Sequence, residues 1–517
     1  MIHSGAIAGA GISQGKSSTF GFDTNWSKFL AFRNDKEKRD FIACGAAAGV
    51  AAAFGAPLAG VMFCLEEGAS WWHPDLTWRT LFCAMSSSFV TATFLSGIRN
   101  EVHAWGRLSE SGLLDFSVDP SENPWAYTAW EIPGFIILGG IGGAIGALFN
   151  YCNEHLTLWR RKHVNTRLKR YLEAIAVAFF VALLAFGIPS AAGSTFCLSD
   201  EAEHGCPSRE KTKGDTMRLF CDEGQYDSLG SLWFNSPEKA IKFLFYEPSS
   251  NDISSDCNLP PSALIAFLVP YIVCACITYG IAMPSGMFVP MILSGAALGR
   301  LYGYICTQFW FQMGIASADH GTYALMGSVA MLGGVTRMLI SVTLIIIETT
   351  GEVQFGLPVF LTALAARAVG QLFNEGLYDI HMELRHVPFL TWDPPYWYQT
   401  IQARQIMKAD PITFNEVESA GRILEVLQST KHNGFPIVLN TRGKRKESKA
   451  SNAKHSYPSA IRQTSMNSTD SKGFSVRSQG RYTFRKLSGI ILRKHLCQLL
   501  SDSFKHRVLV NLAESKR

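Results

Sequence analysis

Long stretches of this chain carry no charge. Residues 41–65, 80–98, 132–153, 174–199 and 257–299 contain no Asp, Glu, Lys or Arg. Residues 301–318, 321–336, 338–347 and 353–366 follow, with isolated charges between them. A bilayer core needs about 20 apolar residues per spanning helix, so the pattern predicts an all-α polytopic membrane domain. The run at 257–299 is long enough for two helices. A large buried soluble core would not repeat charge-free runs of this length.

Several runs carry a Gly or Pro cluster: Phe54-Gly55-Ala56-Pro57, Pro284-Ser285-Gly286-Met287-Phe288-Val289-Pro290, Gly333-Gly334 and Gly356-Leu357-Pro358. Such clusters predict broken helices. Backbone groups freed at a break cannot face lipid, so the breaks are expected inside protein or along a wet cavity. A weak internal echo accompanies them. Gly45 to Glu67 and Gly327 to Glu348 each read as a small-residue helix, a break, and an apolar run ending in Glu. Paired interrupted segments suggest a transporter of inverted-repeat design. Gly139 and Gly143, and Gly142 and Gly146, recur at four-residue spacing and predict close helix packing within one chain. Residues 1–15 are small and apolar without a basic start, and read as membrane helix, not as a cleavable signal peptide.

Two stretches are polar. One spans about 197–257 and holds Cys197, Cys206, Cys221 and Cys257. With no CxxC pair, disulfides are expected over a metal site, up to two of them with the connectivity open. They place the loop in an oxidising lumen or outside the cell. The other stretch begins near 391. Residues 411–414 read as a strand, 417–427 as a helix and 432–439 as a turn and buried strand. The segment 441–486 has twelve basic and two acidic residues and reads as a disordered insertion. Residues 488–492 then give another strand and a helix to 500. Basic residues beside membrane helices put this region in the cytosol.

Composition narrows the class. The chain has 517 residues, 47% hydrophobic and 17% charged, against about 25% charged in soluble proteins. The net charge of +5 is mild and uneven, and no motif supports nucleic-acid binding. No nucleophile–base pair, metal-ligand spacing or phosphate-binding glycine loop points to an enzyme.

Three features carry chemistry. Glu66-Glu67 end the apolar run that starts at Pro57. A carboxyl taken out of water there holds a proton nearer neutral pH, whereas a water-facing helix end would leave both residues ordinary. Gly286-Met287-Phe288-Val289-Pro290 opens a helix, and N–H groups at a helix N-terminus attract anions. Tyr378, near the last membrane helix, offers one hydroxyl or serves as an interface anchor.

These stretches resemble the CLC chloride channels and chloride/proton exchangers. The resemblance rests on Met1 to Gly5, Gly45 to Pro57, Leu65-Glu66-Glu67-Gly68-Ala69-Ser70, Pro284 to Pro290 and Tyr378-Asp379-Ile380-His381. The run Glu66 to Trp72 and the segment Arg385 to Leu390 are most similar to the lysosomal and late-endosomal exchanger branch. The resemblance implies a homodimer with one anion pathway per subunit. It implies chloride held by the Met287 and Phe288 N–H groups, with Gly286 allowing close approach, and by the Tyr378 hydroxyl. Glu67 matches the inner proton-transfer glutamate, which favours an exchanger over a channel. Residues 404–439 and 487–500 resemble one cytosolic CBS domain split by the insertion. A single CBS domain leaves no nucleotide site of the paired kind, so no cofactor is expected beyond chloride and protons. Membrane lipid, and in this branch an accessory subunit, are the other partners implied.

The family's Gly-Lys-Glu-Gly-Pro and Gly-Ser-Gly-Ile-Pro motifs would precede Met1, and a second CBS domain would follow. The expectation is therefore a chain shortened at both ends: membrane domain 1–390, cytosolic region 391–517. Chloride/proton antiport is the leading reading. A passive chloride channel, or a transport-dead subunit with a regulatory role, are the alternatives.

Overall fold

The computed structural model describes residues 1–15, 32, 35–69, 71–99, 127–199, 216–222, 224–246, 259–312, 320–387, 398, 401–407, 411–430, 432–442, 483–493 and 495–500. The chain divides into two compact units, Met1–Trp392 and Asp393–Arg517.

The first unit is helical. Its elements are α1 (Ile2–Gln14), α2 (Asp35–Phe54), α3 (Pro57–Phe63), α4 (Pro74–Arg99), α5 (Ile132–His163), α6 (Arg167–Ala192), α7 (Ser228–Phe234), α8 (Pro237–Tyr246), α9 (Pro261–Thr278), α10 (Phe288–Gln312), α11 (His320–Thr336), α12 (Ile340–Thr350), α13 (Gly356–Gln371) and α14 (Leu377–Leu384). Among the described residues, six helical stretches are long and apolar enough to cross a bilayer. Their outer faces stay apolar: Phe82, Ile175, Phe179 and Phe186 are all exposed. Lipid, not water, is the solvent for such faces.

The centre of the unit is α11, buried along its whole length. It packs on α5, α10 and α13. The two glycine stripes of α5 face different partners. A Cβ on Gly139 would lie 2.4 Å from the Thr362 carbonyl oxygen of α13, and one on Gly146 would lie 2.4 Å from the Gly334 carbonyl carbon of α11. No side chain fits there, which is why both stripes are glycine. Gly333-Gly334 therefore does not break its helix, contrary to expectation: α11 runs through it, and the pair lets α5 approach. The Gly356-Leu357-Pro358 cluster likewise starts α13, because Pro in a first turn costs no hydrogen bond.

Two real breaks match each other. Gly55, at φ 67°, separates α2 from α3, and Arg337, at φ 65°, separates α11 from α12. One offset in numbering carries Gly45 onto Gly327, Gly55 onto Arg337 and Glu66 onto Glu348. The internal echo is thus structural, but its acidic end is Glu66, one residue before the expected Glu67.

The polar stretch expected over 197–257 is shorter than its composition suggests. Strands β1 (Cys197–Ser199) and β2 (Gln225–Asp227) pair antiparallel, and α7 and α8 follow within the stretch. Tyr226 of β2 enters the main core, as do Leu229 and Leu232 of α7 and Ile241, Phe243 and Leu244 of α8, whose apolar spacing is helical even though charges lie between them. A disulfide joins Cys197 and Cys221, with Cα atoms 5.7 Å apart. Cys206 and Cys257 lie outside the described residues.

The second unit contains α15 (Ala403–Ile406), β3 (Phe414–Asn415), α16 (Ala420–Ser429), β4 (Gly434–Arg442) and β5 (Thr483–Leu492). β3 pairs parallel with β4, and β4 antiparallel with β5. Phe414, Leu427, Phe435 and Leu496 form its core. The Ser419 side chain caps α16 by accepting from the Arg422 N–H. β4 and β5 pair out to Arg442 and Thr483, so both ends of the expected insertion at 441–486 are strand. Residues 443–482 lie outside the described residues.

Candidate functional site

The neighbouring glutamates of the sequence are put to different uses. After α3 the chain makes one π-helical turn, Cys64–Gly68. The Glu66 carboxylate accepts from the Leu339 N–H at 2.7 Å, the Ser341 N–H at 3.0 Å and the Ser341 hydroxyl at 2.6 Å. Those donors are orphan groups at the N-terminus of α12, and a carboxylate also suits the positive end of a helix. Glu348, near the C-terminus of α12, returns the arrangement. It accepts from the Leu58 N–H at 3.2 Å and the Ala59 N–H at 2.9 Å, at the N-terminus of α3. Two short half-helices thus cap each other through carboxylates at equivalent positions.

Glu67 makes no hydrogen bond or ion pair with any described residue. It lines a polar cavity of about 730 Å³ with Glu66, Arg337, Arg367, Asp379 and Glu383 among its walls. Arg337 is held there from the second break. It donates to the Gly334 carbonyl, to the Gly370 carbonyl at 3.0 Å and to the Asn374 side-chain oxygen at 2.7 Å. A Cβ at 370 would meet the guanidinium, so the glycine leaves the space that Arg337 occupies. Arg367 stands 4.0 Å from Glu66.

Met287 and Phe288 are buried at the start of α10. Phe288 packs at an angle against Phe54 and edge-on against Phe63, with ring centroids 6.0 and 5.8 Å away. This anchors the beginning of α10 on α2 and α3. The first N–H groups of a helix have no intrahelical acceptor, and those of Met287 and Phe288 donate to no described residue. Gly286 precedes them with open space where a side chain would stand.

Tyr378 sits in the first turn of α14, packed on the main core, and its hydroxyl bonds to no described residue. Buried asparagines hold its surroundings. The Asn150 amide donates to the Val335 and Glu375 carbonyls at 3.0 and 3.2 Å. The Asn153 amide donates to the Cys276 and Tyr279 carbonyls at 3.0 and 3.1 Å, and its oxygen accepts from His381 Nε2 at 2.9 Å. Sequence reasoning missed Asn150, Asn153, Arg337 and Glu348. A polar residue in a charge-free run was the available signal for both asparagines, and the internal echo was the signal for Glu348. Among the described residues no group of three or more His, Cys, Asp or Glu side chains could hold a metal ion.

The profile of the family described as "Voltage gated chloride channel" matches residues 1–371. The chain belongs to this family. It is similar to H(+)/Cl(-) exchange transporter 7 of Rattus norvegicus, 42% identical over 440 residues, covering 85% of this chain and 52% of the relative. Chloride channel protein CLC-d of Arabidopsis thaliana is 32% identical over 448 residues, covering 86% of this chain and 55% of that one. The chain spans about half the length of the curated relatives it matches. A solved structure titled as a eukaryotic CLC transporter shares the fold, with TM-score 0.53, 23% identity, and coverage of 84% of this chain and 62% of that one. The broken-helix bundle is thus the helical fold of the family, and the protein is a multi-pass membrane protein.

Proposed function

We propose that this chain moves chloride across an intracellular membrane in exchange for protons. The observation that carries the reading is the split between adjacent carboxylates: Glu66 is spent as a helix cap, while Glu67 faces a polar cavity unbound. A carboxyl without fixed partners can take up and release a proton, and a buried setting makes that exchange costly enough to be selective. The rat protein similar to this chain bears the name of an exchange transporter.

In this reading Glu67 takes the proton from the cytosolic side. Chloride sits before α10, held by the Met287 and Phe288 N–H groups and by the Tyr378 hydroxyl, with Gly286 leaving the backbone bare. The partial charges of a helix N-terminus hold an anion without the grip of a full cation, so it can leave. Two chains form the working dimer, one pathway each, in a late-endosomal or lysosomal membrane. The strand–helix–strand of the second unit serves as a cytosolic CBS domain.

The test is the purified full chain in liposomes, with chloride efflux and internal pH followed together. Expected is uphill proton movement driven by a chloride gradient, abolished by Glu67→Gln while chloride flux persists. Chloride flux without proton movement in the unaltered chain would replace the exchanger with a channel. No flux at all would leave the regulatory subunit.

A further inference from the structure

The basic end of α5, the start of α6, the exit of α9 and the end of α14 enclose a polar cavity of about 290 Å³. Arg160, buried in its wall, is fully engaged. Its Nε donates to Glu173 at 2.6 Å, Nη1 to the Tyr279 carbonyl at 2.8 Å, and Nη2 to the Ile277 carbonyl. Among the described lining residues Glu173 is the only carboxylate, and Arg160 pairs with it. Arg161, Arg170 and Arg385 also line the cavity and pair with no described residue. The Thr157 hydroxyl is buried there with no hydrogen-bond partner. Because the Asn153 amide nitrogen is donating to carbonyls, its oxygen accepts from His381 Nε2–H, which leaves His381 Nδ1 as a free polar atom. The pocket therefore holds surplus positive charge and an unanswered hydroxyl.

A second, apolar cavity of about 540 Å³ adjoins it, sharing Arg170 and Ala282. Arg167, Tyr171, Ile175 and Ala178 of α6 line this groove, with Met283 from the segment after α9. That helix is almost wholly unburied along its membrane-crossing window, so the groove opens toward lipid. Its arginine-rich end lies on the cytosolic side by the positive-inside rule, and the disulfide lies at its other end.

We propose that an anionic phospholipid of the cytosolic leaflet binds here. Its phosphate lies among Arg161, Arg170 and Arg385 with the Thr157 hydroxyl, and one acyl chain lies along Tyr171 and Ile175. Basic pockets between membrane helices suit anionic headgroups, and only a ligand with both a charged head and a long apolar tail fills both cavities. The inference is independent of the transport reading, since it concerns binding alone.

Native mass spectrometry of the full chain in neutral detergent tests it, with dioleoylphosphatidylglycerol as probe. Arg161 and Arg170 are exposed, so their replacement spares the core. The expected result is one retained lipid per chain, weakened about fivefold by Arg161→Gln and again by Arg170→Gln, and unchanged by Lys162→Gln. Ile175→Gln should weaken it too, dioleoylphosphatidylcholine should not be retained, and glycerol phosphate should not compete. Equal retention in the unaltered chain and the arginine variants would overturn the site. Equal competition by glycerol phosphate would overturn the lipid in favour of a free phosphate ligand.

Discussion

Replacing Glu66 with alanine would leave the Leu339 and Ser341 N–H groups and the Ser341 hydroxyl without their acceptor. Losing a helix cap costs about 1 kcal/mol, and stranded interior donors add to it, so Glu66→Ala should cost about 2–4 kcal/mol. Thermal unfolding in detergent should show a clear fall in Tm for Glu66→Ala and a smaller one for Glu66→Gln, which keeps an acceptor oxygen. Glu67→Gln should leave Tm near its starting value, because Glu67 bonds to no described residue. Equal losses at both positions would contradict the division of roles. Gly286 allows a similar separation. A Cβ there meets nothing within 4 Å, so Gly286→Val should fold normally. On the proposed chloride site, chloride titration should nonetheless show binding weakened by about tenfold, since the new side chain would stand in the ion's approach. Unchanged affinity would move the anion away from the start of α10.

Helix contacts in this protein are set by what is missing from them. A Cβ on Gly334 would lie 2.4 Å from the Gly142 carbonyl oxygen, a backbone atom that cannot swing aside. Overpacking a core side chain costs about 1–3 kcal/mol, and a backbone obstacle exceeds that range. Gly334→Leu should therefore abolish monodisperse material on size exclusion, while Gly187→Leu on α6, where a Cβ meets nothing, should not. The contrast also explains what could be read from the chain beforehand. The α5 stripes were legible as close packing because four-residue glycine spacing has one physical use in a membrane helix. Gly333-Gly334 was misread as a break because a glycine pair looks the same whether it frees the backbone or admits a neighbour. The true break, Arg337, was invisible, since nothing in a lone arginine announces a positive φ. Likewise Glu66 and Glu67 could not be told apart by composition. Their roles depend on which one the π-helical turn aims at α12.

At the scale of the whole molecule, the two ends of α6 face different chemistry. One end carries Arg167, Lys169 and Arg170, and the other leads to β1 and the Cys197–Cys221 disulfide. In the proposed placement the basic end lies in the cytosol and the disulfide in an oxidising lumen, and charge and redox state argue for that orientation independently. The crosslink ties β1 to the chain leading into β2, and α7 and α8 beyond it bury Leu229, Ile241 and Phe243 in the main core. Closing a loop with a sequence separation of 24 is worth about 3 kcal/mol through the unfolded state. Cys197→Ser, Cys221→Ser and the double variant should therefore lower Tm by the same amount, because the bond is lost in each. A reducing agent should lower the Tm of the unaltered protein by that amount and leave the double variant unmoved. A double variant markedly less stable than either single one would mean that the two sulfurs are not joined, and the lumenal assignment of this end would lose its support.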